Sequence, residues 1–261
     1  MRNSNFWRSV LPAVLFAAVL GVLSGLAPWL VVQSSNIVQP ATSLGFNLNN
    51  VTQQNRLTQI MANGTPTIQS VGDAIAGGGG SFSDGGIDGN RGPSLLCSTG
   101  SVIGNDSGLF GEPNMYRVAY SPRYRIKTYV PTITSGRWFW GLANTASASN
   151  MVGADDPAFI YAGMQFSTPR GDTNIQVISE NASQQISNSG IAMVEDIEYI
   201  FDIIFQTDTS VAFYINGSIV ATHSTQVPVS TTNLNIVVGV ETQVGASREV
   251  GVGWITVLTD R

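Results

Sequence analysis

Glu195-Asp196-Ile197-Glu198 is the stretch of this chain nearest to a paired-carboxylate site. Retaining glycoside hydrolysis needs two carboxyl groups about 5 to 5.5 Å apart, and two acids share one face of a strand only at even spacing. Glu195 and Glu198 are three apart, and the apolar alternation that follows them reads as a strand entered through a turn at Glu195-Asp196. No acid pair is expected there. The single histidine, His223, would have to carry any imidazole chemistry alone; no GxSxG turn exists to serve it, and it reads as a hydrogen-bonded surface residue. One histidine also excludes a multi-histidine zinc site. Asp155-Asp156 offers the hard oxygen ligands that calcium takes, but without a DxDxDG-like array it reads as a solvated turn before Pro157. Cys97, the only cysteine, lies in the apolar run SLLCSTGSVI and is expected to be a small buried side chain. The sequence therefore predicts no catalytic residue, no metal site and no cofactor.

Binding chemistry is better represented. In RYRIKTYV, Tyr124, Ile126 and Thr128 alternate with Arg123, Arg125 and Lys127, so three cations line one strand face, and Lys127 is the only lysine in the chain. Such a row can engage acidic glycans or a neighbouring subunit's carboxylates, against the plainer reading of a solvated face. Five aromatic residues could stack on sugar rings: Trp138, Phe139, Trp140, Tyr214 and Trp254. Alternation groups Trp138 and Trp140 with Leu142, and Trp254 with Val250 and Val252, as core positions. Phe139 and Tyr214 are left as the exposed pair. The predicted ligand-binding set is thus Arg123, Arg125, Lys127, Phe139 and Tyr214.

Those residues must be positioned by a chain of unusual composition. Of 261 residues, 43% are apolar but only 11% are charged, where about 25% is usual. The surface is built from Ser, Thr, Asn, Gln and Gly instead. A formal net charge of -5 and an isoelectric point near 4.7 give no general attraction to phosphate backbones, so nucleic acid is not an expected partner.

Composition divides the chain in three. In 1–33, the uncharged run Val10 to Val32 is long enough to cross a hydrocarbon core of about 30 Å. Three readings stand beside one another: a membrane anchor, an apolar plug in a larger assembly, or a signal peptide, the last opposed by Pro28 directly after Ser24-Gly25-Leu26-Ala27. Residues 34–92 form a polar, Gly-rich stalk with a short helix expected around Leu48 to Met61, whose Leu57, Ile60 and Met61 make an apolar stripe. Gly77 to Gly80 lacks the context of a phosphate loop and reads as a linker. From 93 to 261 nearly every segment alternates with period two. Asn216-Gly217 between two such runs marks a hairpin with a type I′ turn. Short alternating strands broken by Gly, Asn, Asp, Ser and Pro predict an all-β, two-sheet antiparallel jelly-roll sandwich.

The ordered series GRWFWGLA, YAGMQFSTPRGDTNIQVISEN, EYIFDIIFQTDTSVAFYINGSIVATHST, LNIVVGVET and REVGVGWITVL resembles a concanavalin A-like jelly-roll module of bacteriophage structural and fibre proteins. The resemblance spans about Ser94 to Arg261. It implies a non-enzymatic virion surface protein of fibre, spike or decoration type, whose lectin-like head attaches to a host-cell glycan. Its partners would be other virion proteins, or a viral or host membrane reached through the N-terminus. Display fibres of this kind are commonly trimers, and a homotrimer held by residues 34 to 92 is the expected assembly. A membrane-anchored cellular lectin-like adhesin is the alternative, and a glycoside hydrolase the third reading.

Overall fold

The computed structural model describes residues 56–61, 73–76, 81–84, 94–111, 114–207 and 209–260. All fall in a compact unit spanning Gln54–Arg261. In chain order the strands are β1 (Arg56–Met61), β2 (Asp73–Ala76), β3 (Ser81–Asp84), β4 (Leu95–Ser98), β5 (Asp106–Phe110), β6 (Tyr116–Arg117), β7 (Arg123–Tyr129) and β8 (Gly136–Ala143). They continue as β9 (Tyr161–Ser167), β10 (Asn174–Glu180), β11 (Gln184–Ala192), β12 (Tyr199–Thr207), β13 (Ser210–Ile215), β14 (Ser218–His223), β15 (Asn233–Thr242) and β16 (Glu249–Thr259). Among the described residues a short α-helix, α1 (Ala148–Val152), lies between β8 and β9.

The strands form two antiparallel sheets, a jelly-roll sandwich. The first runs β14-β13-β12-β7-β16-β4-β3, with β1 also on β16; the second runs β11-β10-β9-β8-β15-β5-β2, with β6 on β15. Period-two alternation places the core between them. On β7, Tyr124, Ile126 and Thr128 are buried; on β12, Tyr199, Phe201, Ile203 and Phe205 are buried. Across the gap Trp140 meets Phe201 edge-on, with ring centroids 5.2 Å apart. Trp138 donates its indole N–H to the Glu249 carbonyl at 2.9 Å, so the large ring is buried without stranding its donor.

The second sheet has a further layer. The β8–β9 connection folds back over its outer face, and α1 packs there with Phe110, Phe139, Tyr161, Ile178 and Val237 in a second apolar cluster. This is why β8 reads GRWFWGLA with scarcely a polar residue, because both of its faces are covered. The floor beneath α1 is glycine. A Cβ at Gly108 would lie 2.6 Å from the Cβ of Ala148, and one at Gly239 would lie 2.9 Å from a methyl of Val152. Only residues without side chains let the helix sit so close to the sheet.

The expected hairpin is β13–β14, the edge of the first sheet. Asn216 and Gly217 take φ values of 51° and 81°, the two positive values of a type I′ turn. Asn216 also reaches sideways: its amide N–H donates to the Ile200 carbonyl and its side-chain oxygen accepts from the Ile200 N–H, both at 2.8 Å.

Four expectations change. Arg56–Met61, placed at the end of a helix in the sequence, is a strand antiparallel to β16, with Leu57 opposite Leu258 and Ile60 opposite Ile255. Strand alternation puts positions 57 and 60 on opposite faces, so no helical stripe exists there. The segment read as stalk supplies β1, β2 and β3 to the two sheets, and pairing starts at Arg56 rather than Pro93. Alternation along IEYIFDIIF puts Ile197 on one face with Tyr199, Phe201, Ile203 and Phe205, but Ile197 is exposed, because the strand starts at Tyr199, after Asp196 at φ 60°. The fourth change is in β16. Its register against β7 slips between Val252 and Trp254, and this bulge at Gly253 reverses the alternation. Val250 and Val252 point into the core, as do Ile255 and Val257 after the bulge, while Trp254 turns outward.

The uncharged run Val10 to Val32 lies outside the described residues. Among the described residues no helix is long and apolar enough to cross a membrane.

Candidate functional site

The register of the first sheet lines side chains into rows across its outer face. One row is Thr256, Arg125, Asp202 and Tyr214, on β16, β7, β12 and β13; the next is Trp254, Lys127 and Ile200. Arg125 Nε lies 3.0 Å from Asp202 Oδ1, with side chains 15% and 13% exposed. The Arg125 guanidinium also sits over the Trp254 ring, 5.8 Å from its centroid. Lys127 Nζ pairs with Glu198 Oε1 at 2.7 Å, and Arg123 with Asp260 at 3.7 Å in an open setting. Burial raises the Asp202 carboxyl above its ordinary value, opposed by the Arg125 charge.

The cation row of the sequence is therefore present as expected, but each cation is matched by an acid of the same chain. A face of this kind is close to neutral and rich in both donors and acceptors. Tyr214 is half-buried at the end of the Arg125–Asp202 row. Phe139 is not exposed: it is fully buried on the outer side of the second sheet, edge-on to Tyr161 at 6.0 Å, under the β8–β9 connection. The sequence thus exchanged two aromatics. Alternation places Phe139 outward correctly but cannot reveal the layer that covers it, and it places Trp254 in the core because it takes no account of the bulge that re-phases the strand.

The outer face of the second sheet holds the densest polar network. Arg137 donates to Asp155 Oδ1 at 2.9 Å, to Glu241 Oε2 at 2.8 Å and to the Gly153 carbonyl at 3.3 Å. Arg170 grips Asp172 with two bonds of 2.9 and 2.6 Å and reaches the Asp155 carbonyl at 3.3 Å. Gln184 donates to the same carbonyl at 3.0 Å and to the Tyr161 hydroxyl at 2.7 Å. Asp155 also accepts from Ser167 Oγ. It is the pin that holds the β8–β9 connection down, not a solvated turn. Burial raises Glu241 despite Arg137, and burial, with the negative charge of Asp156 nearby, raises Glu180.

His223 also departs from its expected place. It is buried at the rim between the sheets, where Nδ1 lies 2.8 Å from Ser179 Oγ and Nε2 lies 3.1 Å from Ser187 Oγ. With no charged partner and little water, its pKa falls to about 4. Cys97 is buried as expected. No group of three or more metal-ligating side chains occurs among the described residues. Each described strand carries at most one Asp or Glu, so none presents two carboxylates on one face.

No protein-family model matches the chain, and no curated protein matches it in sequence. Solved structures do match. A protein of unknown function from Shewanella oneidensis MR-1 superposes with a TM-score of 0.59 at 10% identity, over 84% of this chain and 92% of that one. The carbohydrate recognition domain of Emp47p gives 0.58 at 6% identity, over 81% and 99%. A Bacillus licheniformis beta-glucanase gives 0.51 at 14% identity, over 80% and 100%. What the chain shares with them is the fold. Lectin-like domains and glucanases both use this sandwich, so the chemistry has to be argued from the side chains that this chain places on it.

Proposed function

We propose that this chain is a non-catalytic, lectin-like sandwich displayed at a virion surface, where the outer face of its first sheet holds a saccharide of the host cell. The observation that carries the binding half is the arrangement of Trp254, Arg125, Asp202 and Tyr214. A sugar ring offers an apolar C–H face and a rim of hydroxyls, and an aromatic surface beside a fixed donor–acceptor pair answers both. Because the cations are internally matched, a neutral saccharide fits this face better than the acidic glycan that an unpaired row would favour. The non-catalytic half is supported by the acids: Asp155, Asp172 and Glu241 are all engaged by Arg137 or Arg170. The virion setting rests on the resemblance of the strand series from Ser94 onward.

A hydrolase is the second reading, favoured by the raised carboxyl of Glu180. A general acid needs such a group. Against it, the acid beside that carboxyl, Asp156, belongs to the β8–β9 connection and not to a strand face shared with Glu180, so the two do not form the strand-borne pair that a glucanase uses.

A glycan array probed with the full-length chain tests the site. Binding to neutral glycans that falls at least tenfold in Trp254→Ala and Asp202→Asn supports it; unchanged binding in both variants overturns it. Release of reducing sugar from the bound glycan, lost in Glu180→Gln, would establish the hydrolase instead. Mass spectrometry of purified virus particles tests the setting, and recovery of the chain only in cell envelopes would favour the adhesin.

A further inference from the structure

One wall of the sandwich is free of charge. No Asp, Glu, Lys or Arg occurs between residues 181 and 193 or between 210 and 240, in a chain of net charge -5. These stretches supply β11 and β14, the terminal strands of the two sheets on the same side. Side chains tie the two edges together: His223 to Ser187, and Thr225 Oγ1 donating to Gln185 Oε1 at 2.8 Å. The wall is thus one continuous surface.

Along β11 nothing among the described residues pairs with the outer edge. Its last residues close on themselves, with the Gly190 N–H donating to Asn188 Oδ1 at 2.8 Å and the Ile191 N–H to Ser189 Oγ at 3.1 Å. Gln184 to Ser189 stays open, with Ile186 44% exposed in its middle. Exposed edges are ordinarily guarded by charge, proline or an inward-turned lysine, and this one has none of these. An edge of unpaired N–H and C=O groups takes an extended strand as its partner.

We infer that the occupant is β11 of a second copy, paired antiparallel about a two-fold axis so that the second sheet runs on through both chains. Electrostatics selects the copy. Elsewhere two chains of net charge -5 repel, whereas here identical uncharged strands meet without like charges opposed, and a charged peptide would find no complement. A continuous sheet keeps its faces, so directly opposite positions have the same orientation in the pleat. An axis through Ile186 brings the two exposed isoleucines together and sets Gln184 against Asn188. The helix expected within the segment that would hold a trimer is a strand paired inside its own chain, whereas an isologous contact closes at two copies.

Cys97 is fully buried with its thiol pushed far up, so a cysteine introduced at the surface is the only reactive thiol in the full-length chain. A short bis-maleimide is expected to convert Ile186→Cys to a species of twice the 27.7 kDa chain mass, while Val102→Cys, exposed on the β4–β5 connection, stays monomeric. Light scattering of the otherwise unaltered full-length chain is expected to give two copies, and Ile186→Lys one copy with unchanged β-type circular dichroism. No cross-link at 186, equal cross-linking at 102, or a mass of three copies overturns the inference.

Discussion

Trp140 donates its indole N–H to Thr128 Oγ1 at 2.9 Å, and Thr128 donates its own O–H to the Gly251 carbonyl at 2.7 Å. The relay starts on β8 in one sheet and ends on β16 in the other, through the core. It lets two polar groups and an indole be buried where burial alone would penalise them. Thr128→Val keeps the shape and removes both bonds, leaving the indole N–H stranded. Urea unfolding is expected to show a loss of about 1 to 3 kcal/mol. In Trp140→Phe the donor is gone as well, so adding Thr128→Val there is expected to cost less than it does alone; equal cost would mean that the two residues do not communicate.

The glycine floor under α1 gives a second prediction. At Gly108 a methyl group would meet the Val238 carbonyl at 2.1 Å and Ala148 at 2.6 Å, neither of them a flexible chain end. Gly108→Ala is expected to destabilise by about 1 to 3 kcal/mol as an overpacked core change. Gly171→Ala has open space but a φ of 81°, and its loss, about 1 kcal/mol, is expected to come from backbone strain alone. Near-ultraviolet circular dichroism separates them: only Gly108→Ala should disturb the aromatics beneath α1.

His223 predicts a pH dependence. Its folded pKa of about 4 lies below the ordinary 6.5, so as pH falls through 6.5 the unfolded chain binds a proton that the folded chain refuses. Stability is therefore expected to fall between pH 6.5 and about 4 and to level off below. The raised carboxyls of Glu180, Asp202 and Glu241 act in the opposite sense, since the folded state takes their protons first as pH falls. The measurement is accordingly the difference in unfolding free energy between wild type and His223→Gln across that range. A constant difference would exclude the histidine.

Truncation tests the role of the segment before Pro93. Chains starting at 54 and at 93 differ by β1, β2 and β3, which cover β16, β5 and β4. The longer one is expected to unfold cooperatively at higher urea, and the shorter to aggregate through its bared edges. Equal midpoints would make those three strands dispensable.

Where period-two alternation decides the structure, the sequence was enough: β7, β12 from Tyr199 onward and the Asn216-Gly217 hairpin stand where their residues put them. It failed where non-local contacts take over. The strand Arg56–Met61 owes its conformation to pairing with β16, distant in sequence, against a locally helical pattern. Trp254 shows a subtler limit, since one inserted residue reverses every side chain beyond it, and a glycine among valines gives only a weak sign of a bulge. Of the site, the cations were visible and their partners were half visible. Asp202 interrupts the apolar run of β12 opposite Arg125, a pairing that can be found only once the register of the two strands is known.

The covering of the second sheet is concentrated in one connection, Asn144 to Ile160, and the strands on either side of it pair with each other directly. A shorter β8–β9 link would leave both sheets intact and uncover a trough floored by Phe139, Tyr161 and Ile178. In this architecture the choice between a filled trough and an open one is thus a matter of loop length, so relatives with the same strands can differ in whether they hold anything there at all.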